Sequence, residues 1–185
     1  EGIPIFIMNN LNKKIKSKIE KYIKLNNSSY LVLKTTNKFN VHNAVSKFNI
    51  LINLELVNNI RRINKFHNTV NEVLNIDNYY IICSETLEER RMRVRHKTPF
   101  GFKNLIRIID FTYKRVLPKI PLIKKIYFFL TKGHNRVLSK AEILGRLISC
   151  GFSISGHFED NNLFYVISRK KKKPDFNFSP SYSPI

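Results

Sequence analysis

The stretch KGHNRVLSKAEILGRLISCGFSISGHFEDNNLFYVISRK, Lys132–Lys170, carries the clearest local grammar in the chain. Ser139 followed three residues later by Glu142 reads as a capping box, in which each side chain satisfies an orphan amide of the other. Ala141, Leu144, Leu147 and Ile148 then recur with helical spacing, and Gly151 stands where a helix takes a left-handed terminator. Two strand-like runs follow, Phe152–Phe158 and Leu163–Ser168, joined by the turn residues Glu159-Asp160-Asn161-Asn162. A capped helix leading into an antiparallel pair closes the sheet of an α/β domain.

Upstream, strands and helices alternate. Ile3–Met8 reads as a buried strand, with Asn9 and Asn10 as a turn and N-cap. The helix after it carries Leu11, Ile15, Ile19, Tyr22 and Ile23 on one face with lysines between. Tyr30–Leu33 is a second strand, Phe39–Ser46 a link with helical character, and Phe48–Leu54 a strand apolar enough to be covered on both faces. Asn58 or Asn59 is placed to cap a helix bearing Ile63, Phe66, Val70, Val73 and Leu74, and Tyr79–Cys83 is the next strand. Strands separated by such helices predict a three-layer α/β fold with a mostly parallel, Rossmann-like sheet. The domain is expected to span 1–170, with a basic and apolar insertion at about 86–132 and a Ser- and Pro-rich linker at 171–185. Within the insertion, Glu88–Arg93 reads as a charged helical turn.

Charge is the dominant compositional fact. The 33 basic side chains outnumber the 13 acidic ones, for a formal net charge of +20. An excess of that size points to an anionic partner such as nucleic acid, anionic lipid or a phosphorylated ligand. Cys83 and Cys150 lie in apolar runs outside any C-x-x-C pair and read as reduced, buried thiols of a cytosolic protein. The sequence holds no apolar run near 18 residues and no signal-peptide pattern. It begins at a strand and ends in Ser181-Tyr182-Ser183-Pro184-Ile185, which reads as a piece cut from a longer protein.

Most catalytic grammars are missing. A nucleotide or S-adenosylmethionine site calls for a glycine-rich turn after the first strand, and Asn9–Lys14 has no glycine. Lys34-Thr35-Thr36 follows the second strand, where an acid would hold a ribose. His42, His67, His96, His134 and His157 are scattered without metal-ligand spacing, and no G-x-S-x-G elbow is present. The sequence thus names no catalytic residue, cofactor ligand or metal ligand. Glu55 and Glu85 follow strand C-terminal ends, where such sheets place ligands, and capping of the next helix is their plainer role.

The better functional candidate is 113–136. Lys114, Arg115, Lys119, Lys124, Lys125, Lys132, Asn135 and Arg136 stand among Val116, Leu117, Ile120, Ile126, Phe128 and Phe129. That mixture suits a lipid interface, apolar side down and cations towards phosphates; it equally suits a lid on the domain's own core. No RNP-like motif or zinc knuckle supports RNA as the partner.

The run IYFFLTKGHNRVLSKAEILGRLISCGFSI, then LFYVISRK and KPDFNFSPSYSPI, resembles the N-terminal region of bacterial sugar transferases of Bacteroides type. These are relatives of the polyprenyl-phosphate sugar phosphotransferases of exopolysaccharide and capsule assembly. LINLELVNNIRRINKFHNTVNEVL and YYIICSETLEERRMR fit the earlier half of that region, so the resemblance covers about Phe48–Ile185. It implies a degenerate class I methyltransferase fold, itself non-catalytic, ahead of a transferase domain that this sequence does not contain. By the same resemblance, the domain would sit in the cytoplasm at the inner membrane face. Its partners would be anionic lipid or polyprenyl phosphate, and the transferase domain of the same polypeptide. A divergent S-adenosylmethionine-dependent methyltransferase and a basic nucleic-acid-binding domain are the alternatives.

Overall fold

The structure, a computed structural model, describes residues 11–25, 30–44, 48–97 and 136–173, with a few single positions between 108 and 120. The strand expected at Ile3–Met8, the cap at Asn9 or Asn10 and the linker from 174 onward lie outside the described residues. The elements run α1 (Lys13–Glu20), β1 (Tyr30–Leu33), α2 (Lys38–Ala44), β2 (Ile50–Leu56), a 3₁₀ turn (Val57–Asn59) and α3 (Ile63–Val73). They continue with β3 (Tyr79–Ser84), α4 (Leu87–Lys97), α5 (Lys140–Ser149), β4 (Phe152–Asp160) and β5 (Leu163–Lys170).

These strands form one sheet in the order β1-β2-β3-β5-β4. β1, β2 and β3 are mutually parallel, while β5 runs antiparallel to both β3 and β4. The α/β class read from the sequence is therefore the fold, and the sheet is mixed: among the described residues, two of its four strand pairings are parallel and two antiparallel. Alternation along each strand builds two cores. Leu31, Leu33, Leu51, Tyr80, Ile82, Phe164 and Val166 face α2, α3 and α5. Val32, Ile50, Ile52, Ile81 and Ile167 face α1 through Ile19 and the segment after it through Ile23 and Leu25. Each fully buried aliphatic side chain contributes about 1.5–3 kcal/mol, so these two layers dominate the folding free energy.

The terminal unit keeps its sequence grammar with changes of detail. Ser139 Oγ accepts from the Glu142 amide at 3.1 Å, while the Glu142 carboxylate turns to Arg146 at 2.9 Å. The buried stripe of α5 is Ile143 and Leu147, rotated from the expected one: Ile148 is 55% exposed. α5 meets the sheet over β4 rather than flat on a central strand, which turns Ile143 inward and Ile148 out. Gly151 has φ +88° and ends the helix as expected. The hairpin turn tightens to Asn161 and Asn162, with φ of 49° and 58°, the double left-handed turn that matches strand twist. Asp160 belongs to β4, where its carboxylate takes Lys14 and Lys18, each at 2.8 Å.

β4 is an edge strand, and α1 blunts it. Lys18 Nζ donates to the Glu159 carbonyl at 2.8 Å and the Tyr22 hydroxyl to the His157 carbonyl at 3.0 Å. Tyr22 is thus not a core residue of α1; its ring lies against Gly156 and is 45% exposed. A shift of register between Ile154 and Gly156 bulges the strand there. The helix itself is capped by Asn12, whose Oδ1 accepts from the Lys14 amide at 3.0 Å.

Within the larger core, His67 is fully buried, its Nδ1 3.3 Å from the Tyr80 hydroxyl. Burial, helped by the Arg146 charge, lowers its pKa from 6.5 to about 3, so it is neutral. Cys83 and Cys150 are free and buried, as read from the sequence, and burial raises their pKa to about 12 and about 11.

Candidate functional site

Ligands of open α/β sheets sit beyond the C-terminal ends of the parallel strands. Here that edge is formed by the loop after β1, the 3₁₀ turn after β2, and the β3–α4 junction. It is knitted together by amides rather than opened by glycines. Asn53, buried in β2, accepts from the Thr35 amide at 3.1 Å and donates to the Thr35 carbonyl at 3.0 Å. Thr35 Oγ1 accepts from the Asn37 amide and from Asn40 Nδ2, both at 3.0 Å, and Asn37 Oδ1 accepts from the Phe39 amide at 3.0 Å. Three backbone N–H groups of this loop, those of Thr35, Asn37 and Phe39, thus already hold internal partners.

Asn58 is the second clasp. It does not cap α3, nor does Asn59: both lie in the 3₁₀ turn, and the helix starts after Arg62 with no side-chain cap bond. Three extra residues separate them from the first turn, because the chain must first climb from the end of β2. Instead Asn58 Nδ2 donates to the carbonyls of Glu85 at 2.8 Å and Arg136 at 2.6 Å. Its Oδ1 accepts from Ser84 Oγ at 2.9 Å and from the Glu85 amide at 2.8 Å. One buried amide therefore ties β2, β3 and the segment entering α5.

Glu55 and Glu85 turn out to be structural in different ways, and neither caps a helix. Glu55 lies inside β2 and accepts from Asn59 Nδ2 at 2.8 Å. The Arg93 guanidinium grips Glu85, with Nε 2.6 Å from one carboxylate oxygen and Nη2 3.0 Å from the other; Arg90 stands at 3.5 Å. The start of α4 carries one half of a second box, Thr86-Leu87-Glu88-Glu89: Glu89 Oε2 accepts from the Thr86 amide at 3.0 Å, while Thr86 Oγ1 makes no hydrogen bond among the described residues. The charged turn read at Glu88–Arg93 is thus the first half of an 11-residue helix. Burial raises the pKa of Glu89, opposed by the Thr86 amide and by Lys140. Lys140, at the start of α5, lies 2.8 Å from Glu88, 4.0 Å from Glu89 and 2.5 Å from Glu159; its hydrogen bonds to Glu159 and Glu88 raise its pKa.

Of the residues proposed from sequence to meet an anion or membrane, Lys114, Arg115, Lys119, Lys124, Lys125, Lys132 and Asn135 lie outside the described residues. Arg136 is described: its amide donates to the Asn58 carbonyl at 3.0 Å and its guanidinium to the Arg61 carbonyl at 3.3 Å. The basic-apolar segment therefore rejoins the fold at the strand-end edge. Four of its apolar positions are described and exposed: Ile108 (64%), Ile109 (58%), Val116 (38%) and Ile120 (36%). The sequence offered Asn58 only as a helix cap, and no local pattern marks its clasp or the bonds of Asn53 and Thr35, whereas the Thr86-x-x-Glu89 signature at the start of α4 was legible.

No family model and no curated protein matches the sequence. Solved structures similar in fold include an O-methyltransferase family protein from Burkholderia thailandensis, with TM-score 0.42 and 11% identity over 75% of this chain and 35% of that one. Another is described as a possible exported protein from Bordetella parapertussis, with TM-score 0.39 and 14% identity over 68% of this chain and 39% of the other. A third is a SAM-dependent methyltransferase from Methanosarcina mazei, with TM-score 0.34 and 14% identity over 68% and 60% of the two chains. The chain spans little more than a third of the first two. At these identities and scores the likeness carries no functional weight.

Proposed function

We propose that the chain is a non-catalytic, methyltransferase-like α/β unit that binds an anionic membrane face, there positioning the sugar transferase domain implied by the sequence resemblance. The observation that carries this reading is the exposure of Ile108, Ile109, Val116 and Ile120 within a segment dense in lysine and arginine. Exposed apolar side chains interleaved with cations gain doubly at an anionic lipid interface, from apolar transfer and from phosphate attraction. The internally bonded β1–α2 loop supports a binding role over a cofactor-dependent one. The membrane reading is tested by flotation with phosphatidylcholine vesicles, with and without phosphatidylglycerol. Binding that rises with the anionic fraction is expected. Equal binding to both, or to neither, refutes it.

A divergent S-adenosylmethionine-dependent methyltransferase is the second reading. The placement of Glu55 and Glu85 at the ends of the adjacent parallel strands β2 and β3, the ligand side of such sheets, favours it. Two of the three solved structures named above are methyltransferases by name, though their scores favour neither role. Calorimetric titration with S-adenosylmethionine separates the two: the first reading expects no heat at millimolar ligand, and saturable heat establishes the second.

A further inference from the structure

Charge along the strand-end edge is sorted into two halves. The β3–β4 half holds Glu85, Glu88, Glu89, Glu159 and Asp160, each within an ion pair. The β1–β2 half is basic. Lys34 follows β1, Lys38 opens α2, Arg61 and Arg62 precede α3, and Lys65 lies in its first turn. All five are exposed, and none forms an ion pair with a described residue. The acid nearest in sequence, Glu55, accepts from Asn59. Phe39 projects beside Lys38, 65% exposed, with the ammonium 5.2 Å from its ring centre. The loop after β1 is fixed to β2 by the Asn53–Thr35 bonds, and the loop before α3 is fixed to the segment entering α5 by Arg136 on the Arg61 carbonyl.

We propose that this rim of Lys34, Lys38, Arg61, Arg62 and Lys65, with Phe39 as its apolar tip, is the face that lies on anionic phospholipid, an assignment that rests on the membrane reading above. Five exposed cations spread over a rim do not desolvate one phosphate, as a built pocket would; they add their long-range attraction over many headgroups. Phe39 offers an apolar tip of the kind that enters the acyl boundary. Arg136, where the chain re-enters the described fold, joins this same edge through its bond to the Arg61 carbonyl. A nucleic acid would also attract the cations, but one aromatic at the margin provides no run of stacking platforms.

The test compares two triple variants of the whole chain that remove equal charge. Lys34→Gln/Arg61→Gln/Lys65→Gln strips the rim. Lys13→Gln/Lys21→Gln/Lys24→Gln strips exposed lysines of α1 and the turn after it, on the opposite face of the sheet. Each near-surface cation raises partition about fivefold, so the rim variant should bind vesicles containing phosphatidylglycerol on the order of a hundredfold more weakly. The α1 variant should lose about fivefold or less. Circular dichroism confirms that both are folded, as expected for exposed positions. Equal losses, or no loss in the rim variant, overturn the rim assignment and leave the membrane reading intact. No vesicle binding by the unsubstituted chain overturns both. Rim-dependent binding to single-stranded RNA without vesicle binding overturns the lipid partner and gives the rim to nucleic acid.

Discussion

Replacing Asn58 by leucine should cost about 3 kcal/mol. The change keeps the branched outline of the side chain, with bulkier methyl groups, but removes four hydrogen bonds, to the Glu85 carbonyl, the Arg136 carbonyl, Ser84 Oγ and the Glu85 amide, at 2.6 to 2.9 Å. Each is worth about 1 kcal/mol net, and a partner left dry costs more. Because Glu85 and Arg136 are only half-buried, water can reach some of the abandoned groups. Burying the apolar leucine in their place returns roughly 1 kcal/mol. Against a total stability of about 5–15 kcal/mol for a domain, the loss is large but not fatal. Thermal melting should fall by roughly 6–12 °C, and the urea midpoint should drop with an unchanged slope. Hydrogen exchange supplies a local readout, since the Arg136 amide donates to the Asn58 carbonyl at 3.0 Å and should lose protection. A variant within about 1 kcal/mol of the parent, with Arg136 still protected, would refute the claim that this amide ties the three segments together.

Gly156→Ala places a methyl group 2.4 Å from two ring carbons of Tyr22, so the ring must swing off β4 and release the His157 carbonyl. A cost of about 1–2 kcal/mol is expected. In a double-mutant cycle with Tyr22→Ala that cost should nearly vanish, and full additivity would show that the contact is not what constrains the glycine. His67 refuses in the fold a proton that the unfolded chain takes up near pH 6.5, its folded pKa being about 3. Its contribution to stability is therefore complete above pH 6.5 and declines as pH falls towards 3. His67→Gln should flatten the dependence of melting temperature on pH between 7 and 4, while parallel slopes for variant and parent would contradict the assignment of a neutral buried imidazole.

The element order was legible because local chemistry enforces it. β1 and β3 follow from short runs rich in apolar, β-branched and aromatic residues, and α3 from apolar residues at helical spacing. The end of α5 follows from the left-handed backbone at Gly151. The same reading misplaced details that depend on a neighbour. Tyr22 shares helical phase with Ile15 and Ile19, yet it covers a sheet edge rather than the core, because α1 reaches past β5 to β4. Ile148 fits the apolar stripe of α5 but faces solvent, since the helix meets the sheet at its margin. Asn58 and Asn59 look like caps, and only the geometry of the 3₁₀ turn sends Asn58 to β3 and Arg136 instead.

Sequence by itself determined the α/β class, the capped α5 leading into a hairpin, the reduced thiols and the basic character, because periodicity, capping and net charge are properties of neighbouring residues or of sums. Only the tertiary structure decided that β5 enters the sheet between β3 and β4, that buried asparagines close the strand-end edge, and that the paired acids separate from the cations with no ion pair among the described residues. Those facts depend on which residues distant in the chain meet. Lys34 and Lys65 stand 31 positions apart and share a rim because β1 and β2 are parallel neighbours whose following helices pack together.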